Sequence, residues 1–349
     1  MSEQSDKLKL FLAATNKQLA KDGIPPMMTA SDIVVTDKQT SGILTLDIAL
    51  NGGWPTNKWV EIVGESSASK TTLALRTIAA NQAINPDYSV FWIASEPFNP
   101  EWSENNGIDN DRVVVFAHNN MELCFQRVLD AASSNAFDCI VIDSYPALIA
   151  SDEEKKSMDE FTIGSGAKRV GQFFRKVPDT YSEERPYLGI FMNPFRDKVS
   201  AFSPYGTPKT EPGGKAKNYQ FYVRVEVARD EYIEESKDLL GKVRVGQRNT
   251  YKVIKNKQGV PHRTAKADLY FDESEKGFKG GEFDVLKDLC ATAVLYRVFE
   301  KSGNWLSYTD KRTGEIIKGN GLAGIAALIR GNIELEAEIR RDTLELAIQ

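Results

Sequence analysis

The sequence predicts an α/β fold: a mostly parallel, twisted sheet with helices on both faces, an N-terminal helix ahead of it and a small α+β domain behind it. Three observations carry that prediction. Short apolar runs alternate with helical patterns from Trp59 to Asn193, the texture of strands buried on both sides. The runs end on Gly64, Glu96, Asp143 and Asn193, and ligands of such sheets sit at the strand C-terminal ends. The first run, Trp59 to Gly64, delivers the chain into Glu65-Ser66-Ser67-Ala68-Ser69, which closes on Lys70-Thr71-Thr72 at the head of a helical pattern.

Composition bounds the class. The chain has 349 residues, 41% hydrophobic and 27% charged, enough for a sizeable core in one large domain with smaller additions. No apolar run approaches the ~18 residues of a membrane span. The first residues lack the apolar centre and cleavage site of a signal peptide, so a cytoplasmic protein with no membrane partner is expected. Cys124, Cys139 and Cys290 stand far apart among apolar residues and read as buried thiols, not as a disulfide framework or zinc site. The net charge is −5, yet nine basic residues face one acid, Asp238, between Lys237 and Lys266. Clustered charge of that kind binds phosphate backbones or forms a solvated face.

Residues 5 to 22 read as an amphipathic helix with Leu8, Phe11, Leu12 and Leu19 on its apolar face, stopped by Gly23-Ile24-Pro25-Pro26. It docks either on a neighbouring subunit or on its own domain. Asp32 to Val35 is expected as a short strand, and Ser41 to Leu50 as a turn and short helix. Behind the small-residue loop come a helix to about Asn85, a strand from Tyr88 to Ser95, the run Val113 to Phe116, a helix over about 121 to 135, a strand from Phe137 to Ile142, and a third helix before Leu188 to Asn193. From Tyr219 the pattern alternates, and Phe221 to Val227, Lys242 to Lys257 and Ala267 to Asp272 read as antiparallel strands extending the sheet. Gly277 to Gly281 marks a boundary. A helix over about 283 to 300, a strand from Trp305 to Tyr308 and two short helices follow it. The expected domains are 1–35, 36–272 and 273–349.

The loop carries the first chemistry. In G-x-x-x-x-G-K-[ST], backbone amides surround phosphates, the lysine reaches the β and γ oxygens, and the hydroxyl ligates Mg²⁺. Gly64, Lys70 and Thr71 match, but Ser69 stands at the last glycine, where a side chain restricts the backbone. A serine-rich turn capping an ordinary helix is the plainer alternative. Asp143 ends a buried strand, the usual carboxylate partner of such a loop, and Glu96 ends another, within reach of a water in line with a γ-phosphate.

At SGILTLDIAL (41 to 50), VEIVGESSASKTTLALR (60 to 76), FDCIVIDS (137 to 144), MNPFR (192 to 196), EPGGKAK (211 to 217) and VIKNK (253 to 257), the chain resembles the bacterial and phage RecA-type recombinase family. The likeness covers nearly its whole length. It implies a RecA-like P-loop NTPase core that uses ATP and Mg²⁺. It further implies a homo-oligomeric helical filament on single-stranded DNA that exchanges strands with double-stranded DNA. By that resemblance Gly64, Ser67, Ala68, Ser69, Lys70, Thr71 and Thr72 hold phosphates, with Thr71 and Asp143 on the metal. Glu96 activates water, Trp102 lies near adenine, and Lys255 and Lys257 reach a neighbouring subunit's γ-phosphate. The DNA loops fall at about 155 to 164 and 195 to 212. Ile163 and Val199 are then wedges between bases, and Lys168, Arg169, Arg175, Arg196, Lys198 and the amides of Gly213-Gly214 meet phosphates. Two departures stand out: Ser69, and Pro194 where the family has a glutamine sensing the γ-phosphate. They keep open a non-hydrolysing ATP-bound filament that coats DNA, and a hexameric helicase-type motor on the same core.

Overall fold

The computed structural model describes residues 3–24, 26–33, 37–154, 165–197, 209–210, 217–237 and 241–349. They fall into two units, Met1–Asp37 and Lys38–Gln349. In the first, α1 (Glu3–Lys21) leaves Leu8, Leu10 and Phe11 exposed. The Asn16 carboxamide donates to the Met27 carbonyl (2.8 Å) and accepts from its amide (2.7 Å), folding the following segment back along the helix. Where a strand was expected to begin, Ala30–Asp32 forms a 3₁₀ turn, because the Asp32 carboxylate accepts from the Thr29 amide and hydroxyl. Val34 and Val35 lie outside the described residues.

In the second unit the order is α2 (Leu44–Ala49), β1 (Lys58–Gly64), α3 (Lys70–Ile84), β2 (Val90–Ala94), α4 (Pro100–Asn105), β3 (Val113–Phe116), α5 (Met121–Ser133), β4 (Cys139–Asp143), α6 (Ser151–Glu154), α7 (Ser165–Lys176) and β5 (Leu188–Pro194). Then come β6 (Arg196–Asp197), β7 (Lys209–Thr210), α8 (Lys217–Gln220), β8 (Val223–Lys237), β9 (Gly241–Asn256), β10 (Thr264–Tyr270) and α9 (Val285–Leu295). The chain ends with β11 (Glu300–Ser302), β12 (Trp305–Thr309), β13 (Ile316–Asn320), α10 (Gly321–Ile329) and α11 (Ile333–Ile348).

The main sheet runs β10-β9-β8-β1-β5-β4-β2-β3. β8 joins β1 in parallel, so the antiparallel extension begins only at β9 and β10. Register positions the site: Gly64 pairs with Pro194, and Ala94 with Asp143, so the C-terminal ends of β1, β5, β2 and β4 share one edge. Both faces are covered. On one, α2 and α3 pack Ile43, Leu46, Leu73 and Ile78 with Trp54 and Trp92. On the other, Trp59 meets Phe173 edge-on with ring centroids 5.3 Å apart, and Phe173 stacks on Phe125. Gly189 pairs with Trp59 and leaves room for its indole, since a Cβ there would lie 2.4 Å from the ring.

A third apolar cluster joins α9, α10 and α11 with β12, and Leu44 and Ile48 of α2 enter it. The Asp288 carboxylate fastens α9 to the start of α2 by accepting from the amides of Leu44 (2.6 Å) and Thr45 (3.3 Å). The sequence reading is corrected in three places here. The single strand expected at Trp305 is the middle of a three-stranded sheet, and the last helix is 16 residues long. The helix expected to about residue 300 ends at Leu295, and Arg297 turns left-handed (φ 59°) before β11.

Candidate phosphate-binding site

The loop after β1 is shaped by what its first residue lacks. A Cβ on Gly64 would sit 2.4 Å from the Val227 carbonyl oxygen of the adjacent strand. At the other end Ser69 is left-handed, φ 68° and ψ 32°, a backbone that costs a residue with a Cβ about 1–2 kcal/mol. Its hydroxyl accepts a 2.7 Å hydrogen bond from the Gln247 carboxamide of β9. α3 starts at once on Lys70, so its unpaired first amides and positive dipole end face the loop, the arrangement that binds anions.

Lys70 is folded over the loop, its ammonium donating to the carbonyls of Glu65 (2.7 Å) and Gly64 (3.2 Å). Burial pulls its pKa down, and the charges of Asp143 and Glu96 pull it back up. The Thr71 hydroxyl donates to Asp143 at 3.0 Å. Burial pushes the Asp143 carboxyl up to about 6, with the Thr71 bond and Lys70 opposing the rise and Glu96 adding to it. The Ser95 hydroxyl bridges the carbonyls of Asp143 (2.9 Å) and Ser144 (2.7 Å), stitching β2 to β4. Ser144 in turn donates to Glu96 at 2.6 Å.

These side chains line one hollow of about 350 Å³, formed by Ser66, Ser67, Ser69, Lys70, Thr71, Thr72, Glu96, Asp143, Ser144 and Pro194. It has a helix start and a cation for phosphate oxygens. The Thr71 hydroxyl and Asp143 carboxylate are hard oxygen donors, the set that suits Mg²⁺ held jointly with a substrate's phosphates. A second carboxylate, Glu96, stands in the same hollow.

Comparison with known proteins matches residues 6–276 to the RecA N-terminal domain. The chain belongs to the RecA family. It is 31% identical to Protein RecA of Aquifex aeolicus over 348 residues, covering 99% of this chain and 94% of that one. Protein RecA of Clostridium acetobutylicum is 31% identical over 353 residues with the same shares, and that of Chlorobaculum tepidum 30% over 341 residues, 97% of this chain and 92% of the relative. Thus the RecA likeness continues past residue 276 into the three-stranded sheet.

In this RecA-family chain the other expected residues that the structure describes do not line the hollow. Trp102 is outside its lining and packs, half-buried, against the core beneath the sheet. Lys255 donates to the carbonyls of Asn218 (2.6 Å) and Tyr219 (3.3 Å), and Lys257 lies over the Tyr222 ring. Burial, then Lys257 and Arg224, push Lys255 down to about 8, with Glu61 opposing. Behind Lys255 the fully buried Glu61 binds Lys217, Arg224 and the Asn193 carboxamide. Lys168 and Arg175 are exposed on α7, whereas Arg169 is paired with Glu122 at 2.7 Å. Arg196 belongs to β6. Ile163, Lys198, Val199, Gly213 and Gly214 lie outside the described residues. Sequence reasoning missed Ser144, Glu61 and Gln247. Only Ser144 had a signal, its place directly after Asp143.

Proposed function

We propose that this chain is an ATP-dependent DNA recombinase, a DNA-dependent ATPase that forms a helical filament of its own copies on single-stranded DNA and promotes homologous pairing and strand exchange with double-stranded DNA. The observation that carries the reading is the convergence of Lys70, the Thr71–Asp143 pair and Glu96 on one hollow in a chain of the RecA family.

The loop amides and Lys70 hold the β and γ phosphates, positioning them while the developing charge is compensated. Thr71 and Asp143 would hold Mg²⁺, which would supply charge screening for the phosphate oxygens. Glu96 takes the proton from a water as its oxygen bonds to the γ-phosphorus and the bond from that phosphorus to the β–γ bridging oxygen breaks, releasing ADP and phosphate, and Ser144 orients that carboxylate. Lys255 and Lys257 of a neighbouring copy meet the same phosphate. Lys168 and Arg175, with the basic residues of the two loops, meet the DNA backbone. Pro194 offers no amide hydrogen, but the next amide, Phe195, donates to the Gly64 carbonyl at 2.9 Å and ties the phosphate loop to the segment that enters the second DNA loop. We place the protein in the cytoplasm; no helix among the described residues is long and apolar enough to cross a membrane.

A DNA-stimulated ATPase assay paired with filament imaging tests the reading. Turnover that rises with single-stranded DNA, together with open helical filaments, is the expected result. Filaments without turnover would make the chain a DNA coat, and closed rings a motor. The family match favours neither alternative.

A further inference from the structure

The residue at which this loop departs from its motif is also the one seized by a distant strand. Ser69 is left-handed, and its hydroxyl accepts from Gln247 at 2.7 Å. The same carboxamide nitrogen donates to Asn249 at 2.8 Å, and Asn249 donates to the Tyr251 hydroxyl at 3.4 Å. These three residues alternate along β9 and so share one face of it; Asn249 and Tyr251 are fully buried and Gln247 is 5% exposed. β9 is paired on both sides at this point, Gln247 facing Leu269 of β10 and Tyr232 of β8. The donor is therefore fixed, and the loop is what it fixes.

We propose that Gln247 is a positioning residue for the phosphate loop, holding Ser69 in the left-handed turn that glycine adopts unaided and so keeping the loop amides aimed inward. This rests on the reading of the loop as a phosphate site. Gln247 is not among the residues that line the hollow. Its loss should weaken nucleotide binding while leaving the chemical step to Lys70 and Glu96, so the effect falls on KM.

The test is a cycle of Gln247→Met, which keeps the volume and removes the donor, with Ser69→Gly, in the full chain. ADP affinity should fall about fivefold to tenfold in Gln247→Met, the scale of one hydrogen bond, with kcat at saturating ATP within about twofold. In the Ser69→Gly background the same Gln247→Met change should alter ADP affinity less than twofold. Amide hydrogen exchange over residues 65 to 72, measured without nucleotide, should quicken in Gln247→Met and return when Ser69→Gly is added. Equal weakening in both backgrounds would mean that Gln247 acts through the core, and would overturn the proposal. So would unchanged exchange in Gln247→Met. A wild-type chain that binds no ADP would sink the phosphate-site reading, and the exchange measurement would still decide the clamp.

Discussion

Ser144 donates its hydroxyl to Glu96 across 2.6 Å, joining the residue after β4 to the second residue beyond β2. If Glu96 is the base, Glu96→Gln keeps ATP affinity and lowers turnover by about two to four orders of magnitude, the scale of a lost general base. Ser144→Ala leaves the carboxylate and removes its orientation, so a smaller loss, on the order of tenfold, is expected with KM unchanged. Steady-state ATPase rates separate the two, and normal turnover in Glu96→Gln would move the base elsewhere.

Lys70→Ala should abolish tight ATP binding. Opposite charges about 4 Å apart at an effective dielectric near 20 attract by ~4 kcal/mol, which corresponds to roughly a thousandfold in affinity. Equilibrium titration with ATP gives the answer, and an unchanged Kd would remove Lys70 from the phosphate site.

Asp288 makes a prediction about pH. Burial pushes its carboxyl up from 3.8 to about 6, against the bonds from Thr45 and Leu44 and the charge of Arg340. The folded state therefore holds a proton that the unfolded state releases between those values. The stability linked to that proton is fully present below 3.8 and is lost as pH rises through about 6. Asp288→Asn keeps an acceptor for the Leu44 amide without a charge. It should gain on the wild type by ~2 kcal/mol as pH rises from about 4 to 7. Urea unfolding across that range checks it; a pH-independent difference would contradict the raised pKa.

Lys255 and Lys257 separate a site shared between copies from a self-contained one. Subunits with both lysines changed to alanine keep an intact loop, whereas Lys70→Ala subunits keep the lysines. Each preparation should be nearly inactive alone, and mixing them should restore part of the ATPase where one subunit's lysine face meets the next one's loop. Filaments that assemble normally from the mixture yet recover no activity would count against a role in trans.

The strands that build the site were legible because they are short, continuously apolar and buried on both faces. Cys139–Asp143 is buried at every position, and such a run announces itself whatever surrounds it. The C-terminal sheet was not legible. Glu300, Lys301 and Ser302 are all exposed, and β13 turns Ile317 and Gly319 inward while the equally apolar Ile316 is exposed, so neither flanking strand shows an alternation of apolar and polar residue types. The turn at Asp32 was lost to a local competition, its carboxylate capping Thr29 where β-branched residues beyond it suggested a strand. At the candidate site, the residue types and their strand ends could be read from order alone. Gln247 could not, because its partner is 178 residues away and no periodicity links them.

The bond between Gln247 and Ser69 also makes the loop a poor transplant. Moved into a protein with no carboxamide at that place on its neighbouring strand, GESSASKTT would carry a left-handed serine with nothing to hold it. A glycine-bearing loop moved here would merely leave Gln247 donating to Asn249. The serine at this position of the motif is thus coupled to a glutamine on a strand far away in the chain. With serine in place, loss of the glutamine loosens the loop, and a glycine at position 69 would restore it.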